Sequence, residues 1–339
     1  MVIRFQDYVE SLRPSLHTAF TGHLARLLGD VGSLHPGVRT TILAAGKKIR
    51  GSLLCLVTSA LGGALEDALP RAVAVELIQT ATLVHDDFVD QHRLRRNLPA
   101  LWTLEGARKA VLLGDVMFAS AIHAMTELSR ADGLTVSRAI AEVSRGAYRE
   151  PVDASALLDE TEGDGGNGNF YETLIYLKTG SLFGAACALG AIAAGADDGR
   201  RERWRRYGLR IGEAYQIADD LQEVARLRCA PTATRADLVA LAPALLFFVP
   251  DVRARILEAL RGRSSAVTEE LAAAFDKTAT LMGGEIERRL RSALAAIEGH
   301  LPDTEAGRLS RAAPWDLIQM FNEADRQVSS RQRWLRSQR

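Results

Sequence analysis

Val267–Ile297 reads VTEELAAAFDKTATLMGGEIERRLRSALAAI. Leu271, Ala274, Phe275, Thr278, Leu281, Met282, Ile286, Leu290, Leu294 and Ile297 recur at three- and four-residue steps. Glu269, Glu270, Glu287 and Arg288 fill the other side. This is an amphipathic α-helix with one face turned to a core. The same period runs outward through 5–28, 36–62, 70–92, 106–130, 133–150, 169–194, 200–226, 236–261 and 303–331, where the helix formers Ala and Leu dominate. There is no convincing period-two run and no Asn-Gly hairpin signal. An all-α chain of roughly ten helices is expected.

Composition narrows the function. The 339 residues are 47% hydrophobic and 25% charged, enough to bury a large core, so a disordered or collagen-like chain is excluded. No fixed repeat or long linker divides the chain, and 1–339 reads as a single domain. Lys plus Arg equals Asp plus Glu at 42 each, so no chain-wide field favours nucleic acid. Cys55, Cys187 and Cys229 lack ligand-like spacing, which argues against a disulfide framework or a Cys-based zinc site and fits a cytoplasmic location. The start, MVIRFQDYVESLRPSLH, has early acidic residues and no apolar core, unlike a secretory signal. The longest apolar runs, Ala185–Ala196 and Leu238–Val249, fall short of the ~20 residues of a spanning helix, so no transmembrane segment is expected. Asp159–Asn169, DETEGDGGNGN, reads as an exposed loop with Asn169 as a helix cap, and Pro231 to Thr234 as another connection.

The chemistry concentrates in two acidic clusters. Leu83–Pro99 reads LVHDDFVDQHRLRRNLP, with Asp86, Asp87 and Asp90 at i, i+1 and i+4 of a helix. Tyr215–Glu223, YQIADDLQE, repeats the geometry with Asp219, Asp220 and Glu223, and places Gln216 a turn earlier. Such a pattern is expected by chance about 0.2 times in this chain, so its double occurrence on apolar helices argues against solvated helix ends. Carboxylates so close repel one another and call for cations; hard oxygen donors suit Mg²⁺, which adds water and phosphate oxygens to one or two carboxylates. Asp197–Asp198, in a loop after Gly195, reads as merely solvated.

The cations point the same way. Five Lys stand against 37 Arg, and Lys47, Lys48 and Lys178 are three of the five, in GKKIR and LKTGSLF. Arg95 and Arg96 follow the first cluster. Acids with nearby cations describe a site for a metal-borne polyanion, and a diphosphate leaving group fits, since metal and cations together neutralise its charge. No Gly-rich phosphate loop, HExxH or nucleophile elbow competes, and His85 is as readily a packed neighbour as a participant.

From Gly46 to Glu223 these motifs, in this order, resemble the trans-isoprenyl diphosphate synthases of the polyprenyl synthetase family. GKKIR looks like the family's GGKRxRP, HDDFVDQHRLRRNLPA like its first aspartate-rich motif, LKTGSLF like its Lys-Thr motif, and YQIADDLQE like its second aspartate-rich motif. The resemblance implies an isoprenoid-synthase helical bundle with a cavity between two Asp-rich helices, and a homodimer. It implies that Asp86, Asp87 and Asp90 hold Mg²⁺ against an allylic prenyl diphosphate, with Asp219, Asp220 and Glu223 holding a further ion and Gln216 supporting them. Arg95, Lys178 and Thr179 would bind the allylic substrate. Lys47, Arg50 and Arg96 would bind isopentenyl diphosphate, with Gln79 where the family often has His. The implied reaction is ionisation, attack by the isopentenyl double bond and proton loss.

The chain also departs from the family. Glu223 replaces an Asp, Gly51 stands where Pro is common, and Tyr148–Ala154, YREPVDA, differs from the usual Gly-Glu…Gln run. Val224–Ala244 holds no Lys where the family supplies lysines for the allylic diphosphate; Arg226, Arg228 and Arg235 are candidate substitutes. Ala81 and Thr82, with Ile78 a turn deeper, are small where short-chain members carry aromatics, so a product of geranylgeranyl length or longer is expected. Two alternatives remain open. One is a diphosphate-ionising terpene synthase or prenyltransferase of the same fold with another acceptor. The other is a non-catalytic subunit of a heteromeric synthase.

Overall fold

The structure, a computed structural model, describes residues 4–31, 42–43, 46–96, 98–151, 156–157, 169–228, 235–260 and 269–320. These residues are overwhelmingly helical. In chain order they form α1 (Phe5–Val31), α2 (Ile49–Ala60), α3 (Leu65–Val89), a short hairpin of β1 (Leu94–Arg95) and β2 (Leu98–Pro99), α4 (Leu101–Glu105), α5 (Ala107–Leu128) and α6 (Arg130–Arg149). Then follow α7 (Asn169–Ile175), a π-helical turn (Tyr176–Gly180), α8 (Ser181–Ala193), α9 (Asp198–Arg228), α10 (Arg235–Phe248), α11 (Arg253–Leu260), α12 (Glu269–Ile297) and a last helix, α13, over 305–320.

Burial follows the helical period. On α3, Ala68, Ala72, Val75, Ile78 and Ala81 recur at three- and four-residue steps and are fully buried. The opposite stripe, from Glu76 and Gln79 to Asp86, is left to line a cavity. On α9 the buried stripe runs through Trp204, Tyr207, Ile211, Ala214 and Ile217. α9 packs on α8 and α12, while α3 packs on α2 and α5. α8 is apolar on every side, the composition of a helix surrounded by others. The buried Tyr207 hydroxyl donates to Ser310 O at 2.7 Å and ties α9 to α13. Arg289 of α12 bonds Glu213 of α9 and Glu172 of α7, each at 2.6 Å, so a buried guanidinium is matched by carboxylates from two helices.

Three expectations are corrected. Strand pairing exists: Leu94 faces Pro99 and Arg95 faces Leu98, with Arg96 at φ 51° in the turn. Two residues a side are too few to show period-two alternation. The helix expected over 169–194 is interrupted by the π-helical turn. The one expected over 236–261 breaks at Pro250, because the residue before a proline is disfavoured in the α region, and Val249 sits at φ −135°, ψ 70°. The expectation of no transmembrane segment is not overturned: among the described residues Ala107–Leu128 and Phe170–Ala193 are long and apolar enough to cross a bilayer by length and composition alone, a test that a buried core helix also passes. Of the most apolar 18 residues in the second stretch 83% are buried; in the first only 28% are. The 159–168 loop, Pro231 to Thr234, Cys229 and 321–331 lie outside the described residues, and α7 opens at Asn169. Cys55 and Cys187 are free and buried. Asp197 caps α9 by accepting the Arg200 N–H at 2.8 Å.

Candidate active site

α3 and α9 present their acidic motifs to one cavity of about 760 Å³. A helix turns by 100° per residue, so neighbouring acids in a motif face different ways. Asp86 and Asp219, the first acid of each cluster, line the cavity. Asp87 is turned into the protein, where Arg95 grips it through Nε at 2.7 Å and a second nitrogen at 2.6 Å. Asp90 lies one residue past the end of α3, half exposed, its N–H still bonded to Asp86 O at 2.8 Å. Asp220 is drawn aside by Gln216 Nε2, donating to Oδ1 at 3.0 Å, and by the Tyr171 hydroxyl, donating to Oδ2 at 2.6 Å. Glu223 is half exposed and paired with Arg226 at 2.6 Å.

The π-helical turn carries the Lys-Thr pair. It is wedged between α6 and α9 at two glycines: a Cβ on Gly146 would come within 2.8 Å of Lys178 N, and one on Gly212 within 2.8 Å of Gly180 Cα. The extra residue in the turn re-aims side chains, a use often made of π-bulges at functional sites. Lys178 reaches Glu150 at the end of α6, with Oε2 at 2.5 Å. Burial pulls its ammonium down, but Glu150 and, more weakly, Asp86 and Asp220 outweigh this, so its pKa is raised. Lys178 therefore stands between the two motifs. Thr179 donates to Gln216 Oε1 at 2.6 Å.

The start of α2 supplies the cations. Gly46 at φ 82° and Lys48 at φ 54° bend the backbone, and Glu76 of α3 accepts the Gly51 N–H at 2.8 Å, capping α2 from another helix. A proline at 51 would remove that donor, and a Cβ there would lie 3.2 Å from Glu76 Cγ. Lys47 donates to Met320 O at 3.3 Å. Lys48 lies 3.8 Å over the Phe20 ring, and Arg50 4.4 Å over Phe183. Lys48 Nζ and Arg50 Nε are buried without a hydrogen-bond partner among the described residues. Lys47, Lys48, Arg50, Gln79, Arg95 and Arg96 all face the cavity. Burial lowers the pKa of Lys47, Lys48 and Arg96.

The acids are under the opposite stress. Burial pushes the Asp86 carboxyl up to about 6, against the pull of Lys178. Burial also raises Asp220 to about 6, against its bonds from Tyr171 and Gln216, and raises Asp90. Among the described residues no three His, Cys, Asp or Glu side chains converge to cage an ion. Mg²⁺ does not need such a cage, because it takes one or two carboxylates and completes its shell with phosphate oxygens and water. Asp86 and Asp219, hard donors facing one cavity, fit that requirement.

Several expected residues are placed elsewhere. Ala81 and Ile78 are fully buried and only Thr82 of the three reaches the cavity. Arg226 pairs with Glu223 and with Asp237, each at 2.6 Å; the side chains of Arg228 and Arg235 lie outside the described residues. Glu150, Glu76, Phe118 and Tyr171 were missed. Glu150 lay in a segment marked only as a departure, Phe118 reaches the cavity from a neighbouring helix, and Tyr171 stands 49 residues from the acid it holds.

Residues 34–228 match the polyprenyl synthetase family. The geranylgeranyl diphosphate synthase of Mycobacterium tuberculosis is 31% identical over 310 residues, covering 90% of this chain and 82% of that protein. The geranylfarnesyl diphosphate synthase of Methanosarcina mazei is 36% identical over 180 residues, 53% of this chain and 58% of that protein. A polyprenyl synthase from Caulobacter crescentus, crystallised with calcium and isoprenyl diphosphate, superposes with a TM-score of 0.65 at 25% identity, covering 92% of this chain and 97% of that one. A decaprenyl diphosphate synthase from Rhodobacter capsulatus shares the fold with a TM-score of 0.71 at 23% identity, covering 92% and 99%. The ordered motifs, the paired acids on one cavity and these matches agree: the chain belongs to the polyprenyl synthetase family.

Proposed function

We propose that this prenyltransferase condenses an allylic prenyl diphosphate with isopentenyl diphosphate, giving a trans-prenyl diphosphate of geranylgeranyl length or longer. One observation carries the reading. Asp86 and Asp219 face a cavity whose wall also holds Lys48 Nζ and Arg50 Nε, both buried and without a hydrogen-bond partner among the described residues. Buried donors without hydrogen-bond partners are costly, even with Glu76 at 3.9 Å from Lys48 Nζ, and a diphosphate with divalent ions satisfies the cations and the acids at once.

Asp86 and Asp219 would hold Mg²⁺, with Asp90 at the rim. The ion supplies charge neutralisation for the departing diphosphate. Lys178 and Arg95 bind the allylic diphosphate and stabilise it as its C–O bond breaks. Lys47, Lys48, Arg50, Gln79 and Arg96 hold isopentenyl diphosphate with its double bond towards the allylic carbon. Attack forms the new C–C bond, a proton leaves the adduct, and diphosphate is released. Thr82, Ser144 and Ala147 are small cavity residues beside Phe118, the aromatic contributed by α5.

The assay combines pure protein, Mg²⁺, isopentenyl diphosphate and each of dimethylallyl, geranyl, farnesyl and geranylgeranyl diphosphate, with products analysed by mass. Elongated diphosphates are expected. Diphosphate release with a hydrocarbon from the allylic substrate alone supports a terpene synthase instead, and activity only with a companion chain supports the heteromeric subunit. Thr82→Phe, which narrows the cavity directly, shortens the product; an unchanged distribution removes the chain-length reading. A homodimer is the assembly that the family resemblance implies. Light scattering on the purified protein tests it, a monomeric mass being the contrary result. The free, buried thiols of Cys55 and Cys187 support a cytoplasmic location, to be checked by fractionation.

A further inference from the structure

We propose that Tyr171 is a positioning residue: its hydroxyl sets the orientation of the second acidic motif and, through Gln216, that of the turn carrying Lys178. This rests on the prenyltransferase reading.

Tyr171 is 2% exposed, and its ring is clamped by Phe247 and Phe248 of α10, at centroid distances of 5.5 and 5.7 Å. The ring therefore has one place to be, and its hydroxyl one place to point. It donates to Asp220 Oδ2, while the other oxygen accepts from Gln216 Nε2. A carboxylate only accepts, so it forces the Gln216 amide to present its NH₂ group there. The amide oxygen is thereby turned to the Thr179 hydroxyl, which donates to it at 2.6 Å. Thr179 follows Lys178 in the π-helical turn. An unbroken chain of hydrogen bonds thus runs from the Tyr171 hydroxyl, its ring held by α10, through Asp220 and Gln216 to Thr179, the neighbour of Lys178. The α10 segment lacks the lysines the family usually carries there; in this chain it contributes aromatic support for the tyrosine.

Tyr171→Phe removes the oxygen and keeps the ring packing. Isothermal calorimetry with inorganic diphosphate and Mg²⁺, and turnover against Mg²⁺ concentration, read the effect. Uptake of diphosphate is expected to weaken about tenfold and the Mg²⁺ requirement to rise by a similar factor, the scale of one hydrogen bond to a charged group. The KM for isopentenyl diphosphate should stay unchanged, because Lys47, Arg50 and Gln79 stand outside this chain of bonds. A merely structural tyrosine predicts the reverse pattern: Tyr171→Phe like the wild type, and Tyr171→Ala melting lower through the lost ring. Metal dependence and diphosphate uptake equal to the wild type in Tyr171→Phe overturn the role alone. A wild type that takes up no diphosphate with Mg²⁺ overturns the prenyltransferase reading and this role with it.

Discussion

Asp87 and Asp220 occupy the same place in their motifs, one residue after the acid that faces the cavity. Asp87 is met by a cation, the Arg95 guanidinium, at 2.6 Å. Asp220 is met by two neutral donors, Tyr171 and Gln216. An ion pair cancels charge, whereas neutral donors orient a carboxylate and leave its charge in place. The second motif therefore keeps two negative charges for metal and diphosphate. The first keeps Asp86 and, at the rim, Asp90. Identical spacing thus encodes unequal roles, because the partners come from distant elements.

The largest effect falls on the two lead acids. Asp86→Asn and Asp219→Asn should each lower kcat by about 10³-fold, the scale of removing one preorganised electrostatic partner of the transition state. Steady-state turnover at saturating Mg²⁺ checks this. A surviving Asp219→Asn enzyme would break the symmetry between the lead positions. Next is Arg95→Ala, which strands the 5% exposed Asp87 carboxylate and should cost about 2–3 kcal/mol of stability, measured by urea unfolding. Asp87→Asn should restore part of that loss in the double variant, since the stranded charge is then gone.

The pH dependence separates the motifs from ordinary surface carboxylates. Asp86 and Asp220 have folded pKa values of about 6, above the usual carboxylate value. Between roughly pH 4 and 6 the folded state holds more protons at these two positions than the unfolded chain, so their contribution to stability falls as pH rises. Each contributes about 2 kcal/mol after allowance for solvent screening. Glu202 and Glu285, lowered by arginine partners, act oppositely and only as pH falls through the carboxylate range. Metal-free protein is expected to melt higher at pH 5.5 than at 7.5. Mg²⁺ with inorganic diphosphate should flatten that slope. Thermal melts at both pH values decide it.

How much of this was readable in the sequence follows from the range of each signal. Helical period and the DD-x-x-[DE] spacing are local, so the bundle, α3, α9 and the lead acids could be read directly. The rotation that separates Asp86 from Asp87 is also local, being 100° of helix. The π-helical turn was hidden because LIYLKTG is as apolar and periodic as an ordinary helix, while the glycines it packs against, Gly146 and Gly212, come from other elements. The same holds for Tyr171 with Asp220, Glu150 with Lys178 and Phe118 at the cavity, each a contact between helices. The break at Pro250 is legible in the sequence, since a proline after an apolar run is a local stop signal.

The smallest effect is expected at the last position of the second motif, and it sharpens the comparison most. Spacing alone makes Glu223 a partner of Asp219, one turn on. In the structure it is 52% exposed and held by Arg226, which is 55% exposed and shared with Asp237. An exposed ion pair contributes little to stability, so Glu223→Gln should shift unfolding by no more than about 0.5 kcal/mol. If Glu223 stays on Arg226 when substrate binds, kcat and the Mg²⁺ requirement should change by no more than about threefold. A loss near that of Asp219→Asn would mean that Glu223 leaves Arg226 and swings to the metal during the cycle. That outcome would make Arg226 a latch, and Arg226→Ala would then lower the Mg²⁺ requirement by freeing the acid in advance.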